Sequence, residues 1–408
     1  MVTTSYPRFP GDLTGTFLEP IAHSVAERGH AVHIVAPWHP LVQRPDHEGA
    51  VHFHFYRYAP FKPLNVFGYG NALKADTSMR ATAYAVTPFA LIAASRTTRR
   101  VVRTYSATVV HAHWVIPSGV IATLGARSLP IVVSLHGSDV YVAEKHALAL
   151  TAARYTLKRA NWITACSDDL YKRAVAIGAD KARSEVIPYG VDADRFAPND
   201  NVRSRLRHRH GMHNSDQIVL AVGRLVRKKG FEYLIDAVSC LTARHQSLRL
   251  VIAGSGDLDS ELRRRAANAN IADRVMWLGA ISQTEVAHWL AAADVVALPS
   301  IRDDSGNVDG LPNAILEALA SATPVVTTTA GGIGSVATDR KTALVVPERD
   351  ADRMATAIDE LLTNHALSSE IGQTARKHVL EHHSWARVAE QFESAYAHAV
   401  QSKQPLTT

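Results

Sequence analysis

The chain has 408 residues, of which 47% are hydrophobic and 20% charged, and its formal net charge is +6. That length favours two domains of ~200 residues, and the composition excludes disordered, fibrous and disulfide-stapled classes. The two cysteines, Cys166 and Cys240, lie far apart with no CxxC or His partner at metal-ligand spacing, which argues against a disulfide framework or a structural zinc and fits a reducing compartment.

The elements follow in chain order. Residues 1–4 are a very short candidate first strand. Phe17, Leu18, Ile21, Ala22 and Val25 recur at helical spacing and Gly29 is a plausible stop, before an apolar strand at 31–36. The longest apolar runs, such as 81–94, are broken by Thr, Tyr and Pro and fall short of the ~18 residues of a membrane span. Further strands are expected at 108–111, 131–135, 162–165 and 185–187, with helices between them. This alternation is that of a parallel sheet covered on both faces.

The pattern restarts at Gln217. Strands are expected at 218–222, 248–253, 274–278, 294–298, 324–328 and 343–346, and a helix at 231–241. The polar stretch 192–215 separates the halves, with Pro198, Asn199, Asp200 and Asn201 as the linker. The expected fold class is α/β, with two doubly wound Rossmann-like domains at 1–198 and 199–380 and a C-terminal helix in 381–408. Ligands of open α/β sheets bind beyond the carboxyl ends of the strands, so two such domains are expected to face each other across a ligand cleft.

Charge narrows the partners. Basic clusters at 96–103, 203–209 and 263–265 read as solvated helix faces or as attraction to phosphates or an anionic membrane. None is interleaved with stacking aromatics, which argues against nucleic acid. The start of the chain has no basic segment before an apolar core, so a cytoplasmic location is expected, with contact to an inner membrane face as a further expectation.

Two stretches carry chemistry. "GRLVRKKGF" (223–231) follows a strand and opens a helix, and Arg224 and Lys229 lie five apart across that turn. Two cations at a helix start suit a diphosphate, although a plain basic surface turn reads the same way. "DGLPNAILEALA" (309–320) places Asp309 before a helix and Glu317 inside it, with Pro312 near the first helical position. Carboxylates there accept hydrogen bonds from sugar hydroxyl pairs, but acids near helix starts are also common caps. The chain has 21 histidines, so a given one is more often structural. His136 follows the strand 131–135, and His111 and His113 also end a strand.

These two motifs, in this order, resemble those of the family-4 glycosyltransferases of the GT-B fold. The likeness extends over most of the chain: "SYPRFPGDLTGTF" resembles the N-terminal glycine loop, "SLHGSDVY" the His-Gly-x-Asp segment and "VIPYGVD" the exit from the first domain. "VIAGSGDL" and "MWLGAIS" resemble the nucleotide-binding strands, and "DGLPNAILEALASATPVV" the E-x7-E region. The resemblance implies that Arg224 and Lys229 neutralise the donor diphosphate and that Glu317 holds the ribose hydroxyls. Asp309 would hold the donor sugar with the amides of Gly310 and Leu311, and His136 would sit near the reacting sugar. Gly15 would let its loop approach the phosphate, and Gly254 and Leu278 would belong to the nucleotide side.

The resemblance also implies retaining transfer of a hexose from a UDP- or GDP-linked donor to a hydroxyl of a glycan, a lipid-linked or a small-molecule acceptor. No Asp-x-Asp motif stands at the expected place, so neither metal nor cofactor is expected, the nucleotide diphosphate sugar being a substrate. The last helix is expected to cross back onto the first domain through the stripe Trp385, Val388, Phe392 and Tyr396.

There are departures from the family pattern. Asp309 replaces the usual first Glu, Ala322 replaces a Gly, and Gly334-Ser335 replaces Pro-Glu. "DRKTALVV" lacks the usual glycines, and the polar loop 301–308 is longer. These departures bear on the donor sugar and not on the fold, and two rivals stand beside the transferase reading: a nucleotide-sugar 2-epimerase on the same fold, and a sugar-nucleotide binder without activity. The second would be expected to lose the cationic pair or His136, and both are present.

Overall fold

The computed structural model describes residues 1–12, 14–69, 73–74, 78–79, 81–213 and 215–403, with the backbone alone at 73–74, 78–79, 81 and 84. Leu13 in the N-terminal loop, Asn214 in the polar stretch 192–215 and residues 404–408 of the expected C-terminal segment lie outside the described residues. The chain divides into two compact units, one formed by Met1–Tyr189 with the segment from Trp385 onward, the other by Gly190–Ser384.

The first unit is built on parallel strands, the central ones buried and the edge strand Ser184–Val186 half-buried. The runs Val32–Pro37 and Ile131–Leu135 are apolar nearly throughout because helices cover both faces. Val32–Pro37 pairs with Val51–Tyr56, which carries the short antiparallel strand His47–Glu48. Val110–His113, Ile131–Leu135, Trp162–Ala165 and Ser184–Val186 pair in that order. Residues 1–3 join the two sets. The amide of Val2 donates to His111 O at 2.8 Å and that of Thr3 to Val35 O at 3.0 Å, while Val2 O accepts from the amide of His113 at 2.9 Å. The expected first strand is therefore a single rung, and it occupies the middle of the sheet.

The helix Trp385–Gln401 belongs to this unit. Its Val388, Ala389, Phe392 and Ala395 share one core with Leu18, Ile21 and Val25 of the helix Leu18–Glu27. Phe392 and Tyr396 also lie against His111, whose Nδ1 is 2.9 Å from the Tyr396 hydroxyl.

The second unit holds a six-stranded, all-parallel sheet. Its order is Val275–Gly279, Leu248–Ala253, Gln217–Val222, Val295–Leu298, Val325–Thr328 and Leu344–Val346. The order reverses between Gln217–Val222 and Val295–Leu298. The loops leaving those two strands part in opposite directions there, which opens a crevice at their carboxyl ends. The loop after the first strand carries Arg224 and Lys229, and the loop after the second carries Asp309.

The units meet in sequence at Tyr189/Gly190 and Ser384/Trp385, away from the expected boundaries at 198/199 and 380/381. Hydrogen bonds account for the difference. The amide of Val191 donates to His383 O at 2.8 Å, and Arg376 donates to the carbonyls of Phe196 at 3.0 Å and Ala193 at 3.3 Å. These tie both connecting segments to the second unit. The basic cluster 203–209 is also partly internal rather than a solvated face: Arg207 is buried, bonding Ala292 O and, at 2.7 Å, Asp294.

Candidate active site

Backbone contact sets the geometry at the switch point of the second unit. After Gly223 the chain makes a tight turn at Arg227–Lys229, and Gly230, at φ 64°, turns it into the helix Phe231–Leu241. A Cβ at Gly230 would lie 2.1 Å from the carbonyl oxygen of Pro299. Next to it, the amide of Ile301 donates to Lys228 O at 2.9 Å. Glycine lets the two loops touch along their main chains, and that contact brings the lysine pair to Asp309.

Lys228 Nζ lies 3.0 Å from Asp309 Oδ1, and Lys229 Nζ lies 2.6 Å from Oδ2. The carboxylate backbone is fixed from the other side: the amide of Gly332 donates to Asp309 O at 3.3 Å, and a Cβ at Gly331 would collide with that oxygen at 2.1 Å. Burial alone would raise the pKa of Asp309. The two ammonium groups outweigh it and hold the carboxyl far below its usual range, so it is ionised at any working pH. Arg224 is exposed at the start of the same loop.

Glu317 has the opposite environment. It lies in the helix Asn313–Ala320, for which Pro312 is the N-terminal flanking residue, and among the described residues no donor is hydrogen-bonded to its carboxylate. Burial pushes its pKa up to about 7, and the charges of Arg195 and Lys229 only partly offset that. Lys229 thus acts on both acids, pairing with one and lowering the other. Among the described residues nothing accepts from the amides of Gly310 and Leu311, so both can serve a ligand at this helix start.

Gly254 and Leu278 lie at the ends of neighbouring strands. A Cβ at Gly254 would lie 1.8 Å from Gly223 O, and the amide of Gly254 donates to Gly279 O at 2.8 Å. Gly254 therefore has a packing reason to be glycine: it seats the loop that carries Arg224. Leu278 is half-buried one residue before Gly279. The long loop 301–308 is closed on itself, with Asp303 Oδ1 accepting from the amides of Ser305 and Asn307, both at 2.9 Å.

Gly15 and His136 lie in the first unit. Gly15 has φ 68°, a left-handed conformation that favours glycine, and its carbonyl accepts from the amide of Leu18 at 3.0 Å. The loop before it is held by Asp12, whose burial is outweighed by its bonds to Arg8, leaving a pKa of about 2. His136 follows Ile131–Leu135, and its loop is fixed by Asp139. That carboxylate accepts from the amides of Val115 at 2.7 Å, Gly137 at 3.0 Å and His136 at 3.3 Å.

Both ring nitrogens of His136 are engaged. Nδ1 is 2.7 Å from the Tyr189 hydroxyl and Nε2 is 3.1 Å from His113 Nδ1, with Phe17 packed on the ring. Burial pushes the imidazole down to about 3, so it is neutral at physiological pH. Among the expected site residues the structure brings Lys229 and Asp309 into contact, it sets His113, a histidine the sequence placed at a strand end, against His136, and it adds Lys228 and Tyr189 as partners the sequence reading missed. The lysine doublet was visible as a signal. Nothing in the sequence pointed to Tyr189 as a ring partner of His136.

Among the described residues one group has metal-ligand spacing, Glu19, His23 and Glu48 in the first unit. Arg44 already pairs with both acids, at 2.5 Å and 2.7 Å.

Two family models match the chain: "Glycosyltransferase Family 4" over residues 14–195 and "Glycosyl transferases group 1" over 202–378. A GDP-mannose-dependent alpha-(1-6)-phosphatidylinositol monomannoside mannosyltransferase of Mycolicibacterium smegmatis is 34% identical over 65% of this chain and 70% of its own. A putative teichuronic acid biosynthesis glycosyltransferase of Bacillus subtilis is 32% identical over 61% and 60%. Among solved structures, sucrose-phosphate synthase from Thermosynechococcus elongatus superposes with a TM-score of 0.79 at 19% identity, covering 98% of this chain and 99% of that one. Anabaena HepE in complex with UDP-glucose gives 0.74 at 19% identity, covering 97% and 98%. The fold is GT-B, and the protein is a glycosyltransferase. The chain belongs to the family-4 glycosyltransferases.

Proposed function

We propose that this enzyme transfers a hexose, with retention at the anomeric carbon, from a nucleotide diphosphate sugar to an acceptor hydroxyl, and that protein cations rather than a metal ion carry the leaving diphosphate. The observation that carries the reading is the lysine pair on Asp309 at the switch point of the second sheet. Lys229 and Arg224 neutralise the diphosphate and the charge that grows on it. Lys228 keeps Asp309 ionised and in place while Lys229 engages the donor. Glu317 accepts from the ribose hydroxyls, the free amides of Gly310 and Leu311 meet the sugar or phosphate, and Leu278 touches the base.

In the reaction the bond from the anomeric carbon to the diphosphate oxygen breaks. The acceptor oxygen bonds to the same face of that carbon, and its proton passes to the departing phosphate oxygen. This route, and the roles of Gly15 and His136 towards the donor, rest on the family resemblance. GDP-mannose is the first donor to test, because the relative from Mycolicibacterium smegmatis is named for it. Its name also makes a lipid-linked glycan the first acceptor class to try.

The test is a panel of GDP- and UDP-sugars with and without acceptors, in excess EDTA, with the product linkage read by NMR. Acceptor-dependent release of nucleotide diphosphate and an α-linked product from an α-linked donor are expected. Epimerised donor without acceptor would favour the 2-epimerase reading, an inverted linkage would overturn retention, and activity abolished by EDTA and restored by magnesium or manganese would overturn the cation assignment.

A further inference from the structure

Two chains of hydrogen bonds cross the core of the first unit. In the first, His111 Nδ1 meets the Tyr396 hydroxyl at 2.9 Å and Nε2 meets Ser134 Oγ at 2.6 Å, which lies 2.6 Å from Thr164 Oγ1. Both nitrogens of His111 are engaged, and the hydroxyls beside them can donate or accept. The second chain runs from the Tyr189 hydroxyl through His136 to His113, with contacts of 2.7 Å and 3.1 Å. It ends differently. His113 is 1% exposed, and among the described residues nothing bonds its Nε2. The bond to His136 is thus the only one its side chain makes there.

That bare nitrogen fixes the protons of the whole chain. Burial keeps both imidazoles neutral, so each carries one N–H. Two arrangements satisfy the 3.1 Å contact. If His136 Nε2–H donates to His113 Nδ1, the N–H of His113 falls on Nε2 and is buried with no acceptor. If His113 Nδ1–H donates to His136 Nε2, only a lone pair is left bare, and the N–H of His136 falls on Nδ1, where the Tyr189 oxygen accepts it. Buried N–H groups without a partner are rare and unused lone pairs less so, which favours the second arrangement. An apolar side chain at position 113 would fill the core with no bare nitrogen, so the bond to His136 is the contribution that calls for histidine there.

We infer that His113 is a positioning residue for sugar transfer, whose Nδ1–H locks His136 as the Nδ1–H tautomer and fixes the angle of its ring. This role rests on the place proposed above for His136 beside the reacting sugar. Packing reinforces the lock. Phe17 and Trp114 lie against the His136 ring with centres at 4.7 Å and 5.1 Å, and Tyr189 stacks on it at 5.8 Å. With both nitrogens engaged, His136 has no N–H to give a phosphate oxygen. It meets a ligand by its shape, and His113 and Tyr189 decide where that surface stands.

The test is two measurements on the full chain. In the first, long-range proton–nitrogen NMR of nitrogen-15-labelled histidine reads the free wild-type enzyme at pH 7, with His136→Gln identifying the His136 signals. The Nδ1–H tautomer is expected at His136, and either the Nε2–H tautomer or an imidazolium would overturn the inference. In the second, kcat and donor KM are compared for His113→Leu and His113→Asn, side chains of similar size. Asn sets its Nδ2–H near the place of the histidine Nδ1–H, and Leu has no donor. Leu should lower kcat about 5-fold, the effect of one neutral hydrogen bond, with KM little changed, and Asn should recover all but ~2-fold. A mere core filler would treat the two alike, so equal losses, or no loss in Leu, would overturn the positioning role. If neither variant folds, the wild-type tautomer still decides. Wild-type turnover in His136→Gln would remove the place proposed for His136. An Nε2–H tautomer beside an impaired His136→Gln would overturn the lock alone and leave that place, and sugar transfer, standing.

Discussion

The lysine pair on Asp309 and the ring shell of His136 solve opposite problems. In the second unit three charged groups are held within 3.0 Å, and the acid stays ionised because two cations face it. In the first unit His136 and His113 lie in contact with every ring kept neutral by burial. Under the proposed function the charged cluster responds to a diphosphate, which competes with Asp309 for Lys229. The neutral cluster cannot respond by titration near pH 7, and it acts through shape and hydrogen bonds. The lesson is that perturbed ionisation marks both places, but only one of them has charge to spend on a leaving group.

The sharpest break in that contrast is Lys229→Ala. Loss of one preorganised cation at a developing charge should lower turnover at least ~100-fold, measured by steady-state release of nucleotide diphosphate. Near-normal turnover in a folded variant would remove the charged cluster from the mechanism. Lys228→Met should cost less, about 10-fold, because Lys229 remains. Its signature is the acid limb of kcat/KM moving to higher pH as Asp309 loses half its neutralisation. Lys228→Arg should restore most of the limb, and an unchanged profile in the Met variant would show that Lys228 is only structural.

Glu317 sharpens the comparison within the second unit. Its carboxyl titrates at about 7 instead of 4.5. A raised carboxyl stabilises the fold below pH 4.5 relative to higher pH, and that contribution is lost as pH rises through 7. Glu317→Gln should therefore melt a few degrees above wild type at pH 8 and level with it near pH 4, a gap of ~1–2 kcal/mol after solvent screening. Ribose hydroxyls donate to the ionised form, so wild-type affinity for nucleotide diphosphate should rise between pH 6 and 8. In the Gln variant it should be weaker and flat, which calorimetry reads directly. The smallest effect is expected at the neutral site. Tyr189→Phe removes one bond to His136 and should lower kcat only ~2–5-fold with no change in pH profile. A new ionisation between pH 5 and 8 would show that the hydroxyl, not burial, keeps the ring neutral.

Much of the second unit could be read from the sequence, because its strands are mainly apolar runs separated by helices of similar length. The switch point was not legible, because it depends on the order of the strands in the sheet and not on their order in the chain. The first strand was harder: residues 1–3 make one rung on each side, too short for a periodic pattern to register. The boundaries were misplaced because Pro198–Asn201 look like a linker, while Arg376 and Val191 bind their neighbours to the second unit through backbone carbonyls that no side-chain pattern reports. Lys228 was passed over for the same reason. Its reach to Asp309 depends on the contact of Gly230 with Pro299, between residues almost seventy positions apart.

The return of the last helix has a consequence for how the chain is made. Val388, Phe392 and Ala395 complete the core that Leu18, Ile21 and Val25 begin. The N-terminal unit therefore cannot close until the helix Trp385–Gln401 has left the ribosome. The second unit is continuous, and its ends meet at the bridge between Val191 and Ser384. It can finish folding earlier, so synthesis order and folding order are reversed. Until then the apolar face of Leu18–Glu27 waits uncovered and is the surface most in need of a chaperone.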